Sequence, residues 1–369
     1  MDIAIIGTSR KEHEKRVPIH PAQIQSIPKD IRGHLFFEKG YGQPFGMGDD
    51  RIAFLTGNRP LERAALLREK PAFLIPKPVL EDLEEMPDGA VVWGWIHAVQ
   101  QKDITQIAVA KKMTLVAWEH MYHRSTRGRV HVFEKNNEMA GYCGVQNALQ
   151  LMGIDGCYGM PRRAAILGFG SVSRGAVYSL LGHGFRDITV LTRRPSHLVS
   201  NRIPGLRYRQ FGKTKSGEFR IKEPDGRTEP LIDVLAQADV LVNGVLQNPN
   251  HPDIFVRDTD LEKFTKECLV VDISCDRGMS FSFARPTTLE NPVFRIGNIV
   301  YYSLDHTPTL LWNSASWEIS SALLPYLKDF VNEKSNRVLQ DAVDIQNGVI
   351  LNKDILEFQN RVPESLLCS

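Results

Sequence analysis

The sequence predicts an α/β protein of two doubly wound, Rossmann-like domains with a cleft between them. Three observations predict it. Short apolar runs alternate with helical patterns through the first third of the 369 residues. The alternation restarts after a long amphipathic segment, and the first strand of the second series ends in a glycine turn. Strands alternating with helices of this length call for parallel β-structure with crossover helices.

Taken in order, the first apolar runs are IAIIG (3–7), HLFFEK (34–39), AFLIPK (72–77), AVVWGWIH (90–97) and TLVAWE (114–119). Each has strand length and reads as a buried strand. Helical patterns fall between them at PAQIQSI, PLERAALLR and DITQIAVAKK. After the polar stretch EKNN comes EMAGYCGVQNALQLMG (138–153), a helix that marks the first domain boundary. The second series runs RRAAILGFG, a small-residue helix, DITVLTRR, PLIDVLAQA, DVLVNGV and LVVDIS. Residues 200–229, which include GKTKSG, read as a hairpin insertion. Beyond about residue 300 a loop leads into a long helix, and a helix, a hairpin around Asn347-Gly348 and a closing helix follow. The expected division is residues 1–137 with 301–369 as a substrate and catalytic domain, and 138–300 as a dinucleotide-binding domain.

Composition narrows the function. Hydrophobic residues make up 42% and charged residues 24%, enough for two cores and too much for disorder. A formal charge of +2 gives no electrostatic reason to expect nucleic acid or a membrane as partner. The basic residues of the insertion have too few interleaved aromatics for a base-stacking surface. Apolar runs such as AVVWGWIHAV are about half the length of a membrane span. The five cysteines form no CxxC pair, so neither a disulfide framework nor a structural metal site is expected. A cytoplasmic enzyme acting on small molecules is the expectation, with a homo-oligomer admissible.

The chemistry-bearing groups lie at strand ends. In AAILGFGSVSRGA, Gly168, Gly170, Ser171 and Val172 form a turn between a strand and a helix. Glycine there lets the backbone approach a pyrophosphate seated over the helix N-terminus. Ser173 stands at the third fingerprint position, with Gly175 two residues on. The next strand runs into Arg193-Arg194, where NAD-selecting folds usually place an acid for the ribose hydroxyls. Forked guanidinium donors suit a 2′-phosphate, so NADPH is expected over NADH. Lys77 and His97 finish two strands of the first series. Both are types able to move protons near neutral pH, since histidine titrates there and a desolvated lysine can be brought there. Arg16 and Arg129 offer forks for carboxylates. HExxH, GxSxG and Walker spacings are missing from the sequence.

These residues together resemble the alanine dehydrogenase and pyridine nucleotide transhydrogenase superfamily. The resemblance covers nearly the whole chain through KEHEKRVPIHP, IPKP, WGWIH, MAGYCGVQNAL, ILGFGSVSRGA and VVDISCDRG. Within it the sequence is similar to N5-(carboxyethyl)ornithine synthases at the GWxH, AGYxGV and GxGxVxxGA segments. It is similar to lysine-forming saccharopine dehydrogenases at SLDHTPTLLWNSASWEISSALLPYL. The resemblance implies an oxidoreductase that reduces an imine between the side-chain amine of an amino acid (ornithine or lysine) and a 2-oxo acid such as pyruvate. The alternatives are an alanine-dehydrogenase-like enzyme using ammonia and a saccharopine dehydrogenase running toward lysine. The resemblance implies Lys77 and His97 as the acid–base pair and Arg16 as the substrate-carboxylate arginine. It implies Asp276 near the nicotinamide and Asp305 and His306 in a substrate loop. Glu119 and Arg129 match only approximately, because the spacing there differs by a residue.

Overall fold

The computed structural model describes residues 1–361 except 126–127, 224, 248–250 and 276. The chain falls into two compact units, Met1–Asn136 with Leu311–Ser369, and Asn137–Leu310. The first unit begins with β1 (Ile3–Ile5), α1 (Lys29–Arg32), β2 (Leu35–Phe37), α2 (Asp49–Thr56), α3 (Arg63–Glu69) and β3 (Ala72–Leu74). It continues through α4 (Leu80–Glu85), β4 (Val91–Gly94), α5 (Lys102–Ala110) and β5 (Thr114–Ala117) to a hairpin, β6 (Tyr122–Ser125) and β7 (Gly128–His131). Helix α6 (Glu134–Met152) carries the chain into the second unit.

There follow β8 (Arg163–Leu167), α7 (Ser171–Gly182), β9 (Asp187–Thr192), β10 (Arg207–Lys213), β11 (Phe219–Lys222), β12 (Thr228–Pro230) and α8 (Leu231–Leu235). The second unit ends with β13 (Val240–Asn243), β14 (Ile254–Val256), β15 (Cys268–Asp272), β16 (Ser280–Phe281), β17 (Val293–Ile296) and β18 (Ile299–Tyr302). The return to the first unit supplies α9 (Trp312–Val331), α10 (Arg337–Asp341), β19 (Val343–Gln346), β20 (Val349–Ile350) and α11 (Lys353–Phe358).

Each unit is built on one sheet with a core on both faces. In the first, the order is β2-β1-β3-β4-β5-β19-β20, parallel as far as β5 and then antiparallel. One face packs Ile3, Trp93 and Trp118 against Leu323 and Phe330 of α9. The other packs Phe73, Val92 and Leu115 against Ile104 of α5 and Leu83 of α4. The register pairs Leu74 with Trp93 and Trp93 with Val116. It therefore sets residues 75–77, 95–97 and 118–120 side by side beyond the carboxyl ends of the strands.

In the second unit the order is β12-β11-β10-β9-β8-β13-β15-β18-β17, with a parallel centre from β10 to β18. That central order is the doubly wound dinucleotide arrangement, which changes direction beside β8. The all-parallel strands are buried on both faces and so read as continuous apolar runs.

Several expectations are corrected. The segment 200–229 is more than a hairpin insertion: β10 pairs in parallel with β9 and β11 folds back on β10, so it widens the main sheet. Most of its basic side chains answer nearby acids, Arg207 with Asp187, Arg209 with Glu223 and Glu229, and Arg220 with Glu218. The stretch EKNN lies inside α6, whose first turn begins at Glu134. The return boundary falls at Leu310/Leu311, not at 300/301, because β18 pairs with β15 and belongs to the second sheet. PAQIQS forms a 3₁₀ turn with Pro21 at its start and the His20 ring accepting from the Ala22 amide. Helices α2 and α4 add to the helical patterns read from the sequence.

Two glycines set how α6 and α7 cross. A Cβ on Gly175 would lie 1.7 Å from the Glu138 carbonyl oxygen, and one on Gly141 would lie 1.8 Å from that of Val172. The backbones touch, and any side chain must push them apart. Gly175→Ala should therefore cost about 2 kcal/mol or more, the upper part of the range for overpacking. A urea melt of the intact protein measures it; an unchanged midpoint would show that the helices can separate freely.

Candidate active site

The first unit gathers its polar groups on the three aligned loops. Ser9 donates to the Lys77 carbonyl at 2.5 Å. The chain around Ser9 is tied down where Glu38 accepts from the amides of Gly7 (2.8 Å) and Thr8 (3.0 Å), and Asp82 accepts from that of Arg10 (3.1 Å). His97, half-buried after β4, adopts φ +52°, a left-handed conformation that is uncommon outside glycine. Glu119 holds it there, accepting from the His97 amide at 2.5 Å and from the Ile96 amide at 3.2 Å. A sparsely populated conformation fixed by its surroundings is frequent at functional sites.

Electrostatics around His97 differ from the sequence expectation of a group titrating near neutrality. Burial, reinforced by Lys77, His120, Arg16 and Lys11, pushes the imidazole down to about 3, so it is neutral at pH 7. Glu119 goes the other way. Burial and the Asp344 carboxylate push it up to about 7, with His120 in part opposing. His120 bonds Asp344 at 2.8 Å. Its own burial favours the neutral form, but Asp344 and Glu119 outweigh that and leave it above its ordinary value.

Arg16 is buried, 3% exposed, and its fork is engaged by Glu14: Nε to Oε1 at 2.8 Å and Nη2 to Oε2 at 2.5 Å. It also bonds Asn136 at 3.3 Å and lies 4.9 Å from the centre of the Trp95 ring. Sequence reasoning placed a substrate carboxylate in that fork, and a protein carboxylate stands there. Arg129, on β7, is exposed and stacks on Tyr122 at 4.3 Å. Lys77, His97 and Arg16 are thus brought into one charged neighbourhood. Glu14, His120 and Asp344 were missed; of these only Glu14 left a trace, in the repeated charges of KEHEKR.

In the second unit the turn after β8 has the shape that a pyrophosphate requires. Gly168 has φ +86°, and Gly170 caps α7, whose first residues are Ser171 and Val172. Ser173 turns inward, its hydroxyl donating to the Leu167 carbonyl at 3.4 Å, and leaves the approach open. A pocket of about 230 Å³ lies beside this turn, lined by Phe169, Gly170, Arg174, Thr192, Arg194 and Ser200. These residues fit the adenosine half of a dinucleotide. Arg193 points elsewhere and pairs with Asp253 at 2.5 Å.

Asp276 lies outside the described residues. On the strand before it, Asp272 is buried and accepts from Asn243 at 2.8 Å, from the Cys275 amide at 3.3 Å and from the Tyr301 hydroxyl. Asp305 and His306 follow β18, paired side chain to side chain, with Thr307 donating to the Ala140 carbonyl at 2.9 Å.

A doubly wound unit with this turn, in a chain whose other sheet carries a lysine and a histidine at its strand ends, defines a nicotinamide-dependent oxidoreductase. Residues 150–357 match the alanine dehydrogenase/PNT C-terminal domain, and the chain belongs to that family. It is an NAD(P)-dependent amino-acid oxidoreductase acting on CH–NH bonds.

The chain is 22% identical over 373 residues to the alanine dehydrogenase of Mycolicibacterium smegmatis, covering 95% of each. It is 23% identical over 327 residues to the N(5)-(carboxyethyl)ornithine synthase of Clostridium botulinum, covering 83% of this chain and 90% of that one. The fold matches an L-alanine dehydrogenase with a TM-score of 0.76 at 17% identity, over 98% of this chain and 99% of the other. It matches a transhydrogenase from Sinorhizobium meliloti with 0.71 at 16% identity, over 95% and 99%. Among the described residues no helix is long and apolar enough to cross a membrane.

The raised Glu119 has a consequence for stability. Its folded value of about 7 exceeds the ordinary 4.5, so between those values the folded state holds the extra proton. Stability from this group is present below pH 4.5 and is lost as pH rises through 7. Glu119→Gln removes that dependence. Urea melts at pH 5 and pH 8 should show wild type losing ground to the variant at the higher pH; an equal difference at both would remove the ionisation.

Proposed function

We propose that the protein catalyses an NADPH-dependent reductive condensation, joining the side-chain amine of ornithine or lysine to a 2-oxo acid such as pyruvate. One observation carries the reading: Lys77, Arg16 and Lys11 lie close enough to His97 to add to the burial that holds it neutral. Such a field suits a substrate with several carboxylates. An imine between an amino acid and a 2-oxo acid has at least two, whereas the imine of pyruvate with ammonia has one. The similarity to the C. botulinum synthase supports the same reading.

In this reaction Lys77, an ammonium in the free enzyme, first gives its proton to His97, and the neutral amine so formed takes the proton that frees the attacking amine. The amine nitrogen bonds to the carbonyl carbon as the carbonyl electron pair moves to oxygen. Substrate carboxylates offset the cations and raise the affinity of His97 for a proton, so His97 gains its charge in the complex. It then protonates the former carbonyl oxygen, and a second proton, given up by the attacking nitrogen, lets that oxygen leave as water while the nitrogen keeps one proton in the iminium. The dinucleotide supplies the hydride that reduces the imine carbon. Arg16, locked by Glu14, orders the floor beside Trp95, and its charge adds to the field. NADPH is favoured over NADH because Arg194 lines the pocket after β9.

A second reading, an ammonia-using alanine dehydrogenase, is favoured by the match to the M. smegmatis enzyme over 95% of both chains. A grid of amino acids against 2-oxo acids, followed at 340 nm with NADPH and NADH and by product mass, separates the two. The condensing enzyme should oxidise NADPH with ornithine or lysine plus an oxo acid, and hardly at all with ammonia plus pyruvate. Efficient turnover with ammonia alone decides for the alternative. Lys77→Met and His97→Gln should each lower turnover by about 10²–10⁴-fold, with NADPH affinity little changed. Near wild-type turnover in either would take that residue out of the mechanism.

A further inference from the structure

The sequence offers Arg193 and Arg194 together as the anion site after the second strand, but the structure separates them. Arg193 bonds Asp253 at 2.5 Å, and Lys213 of β10 reaches the other oxygen of that carboxylate at 2.7 Å. Asp253 is itself well anchored: its amide donates to Gln247 at 2.5 Å, and Gln247 donates back to its carbonyl at 3.0 Å and to Ser280 at 2.6 Å. The two cations flanking Asp253 hold its carboxyl below the usual range, so the ion pair persists at neutral pH. Arg193 therefore has an acidic partner in a built position.

Arg194 and Arg174 differ. Both line the pocket of about 230 Å³ beside Gly170. Among the described residues neither makes an ion pair. Arg174, on the first turn and a half of α7, is held by neutral groups alone. It donates to the carbonyls of Asn201 (2.7 Å) and Ser200 (2.9 Å), and its guanidinium lies 4.1 Å from the centre of the Phe169 ring. Carbonyls and a ring face fix its direction without cancelling its charge. Two uncompensated guanidiniums, one of them already immobile, thus face one pocket next to a dinucleotide turn. A phosphomonoester of about −1.5 to −2 charge is the matching ligand.

We propose that Arg174 and Arg194, and not Arg193, form the subsite for the 2′-phosphate of NADPH. The proposal rests on the NADPH reading above and adds which side chains deliver it. Arg174 lies within the fingerprint helix, away from the strand-end positions read for cofactor choice in the sequence. Preorganisation is the physical point: an arginine already ordered loses little further freedom when the phosphate arrives.

The test uses the whole protein and two probes, adenosine 2′,5′-bisphosphate and 5′-AMP, titrated calorimetrically. Wild type should bind the bisphosphate at least about tenfold more tightly, a difference of about 1.4 kcal/mol. Arg174→Gln and Arg194→Gln should each remove most of that preference while 5′-AMP affinity stays within about twofold, the loss expected for a charge-assisted contact to the extra phosphate alone. Arg193→Gln should leave the preference nearly intact. Retained 5′-AMP binding shows that a variant is folded.

If Arg193→Gln abolishes the preference, or if the other two variants weaken both probes equally, the assignment is overturned. If wild type itself binds the two probes alike, the NADPH reading fails before any variant is measured.

Discussion

The carboxylate of Glu119 gripping the amides of Ile96 and His97 is the contact on which the first unit's chemistry depends. It keeps a histidine in a left-handed backbone conformation at a strand end, where the ring joins Lys77 in one neighbourhood. Burying a carboxylate is expensive unless donors meet it. Here two amides meet it, and Asp344, from the returning strand β19, raises the cost again. The C-terminal segment therefore shapes the electrostatics of a site made mainly from the first 120 residues. Antiparallel addition of β19 to β5 brings Asp344 to His120.

The same economy of charge recurs at several cationic groups. Arg16 is paired with Glu14, Arg63 with Asp82, and Arg193 with Asp253. A buried or half-buried guanidinium with a carboxylate partner is held in place and partly neutralised. Arg174, by contrast, is ordered by carbonyls and a ring face. Exposure alone does not separate the two kinds, since Arg193 is 56% exposed and yet committed.

Family membership sets the class of reaction. The alanine dehydrogenase and the carboxyethylornithine synthase are similar to the chain to nearly the same degree, 22% and 23%. Overall similarity therefore does not choose between ammonia and an amino acid as the amine.

The sequence by itself determined the alternation of strands and helices, the glycine turn at Gly168 and Gly170, and the strand-end placement of Lys77 and His97. Those features are local: each follows from a period of two or 3.6 residues, or from a backbone angle that glycine tolerates. Only the tertiary structure decided which carboxylate meets which cation. Asp344 meets His120 across 224 residues, and Arg193 meets Asp253 across 60, with no periodic trace of either. It also decided that 200–229 widens a sheet, since parallel pairing of β10 with β9 is a non-local choice. Pairing between distant charges depends on sheet register and burial, and neither exists until the chain has folded.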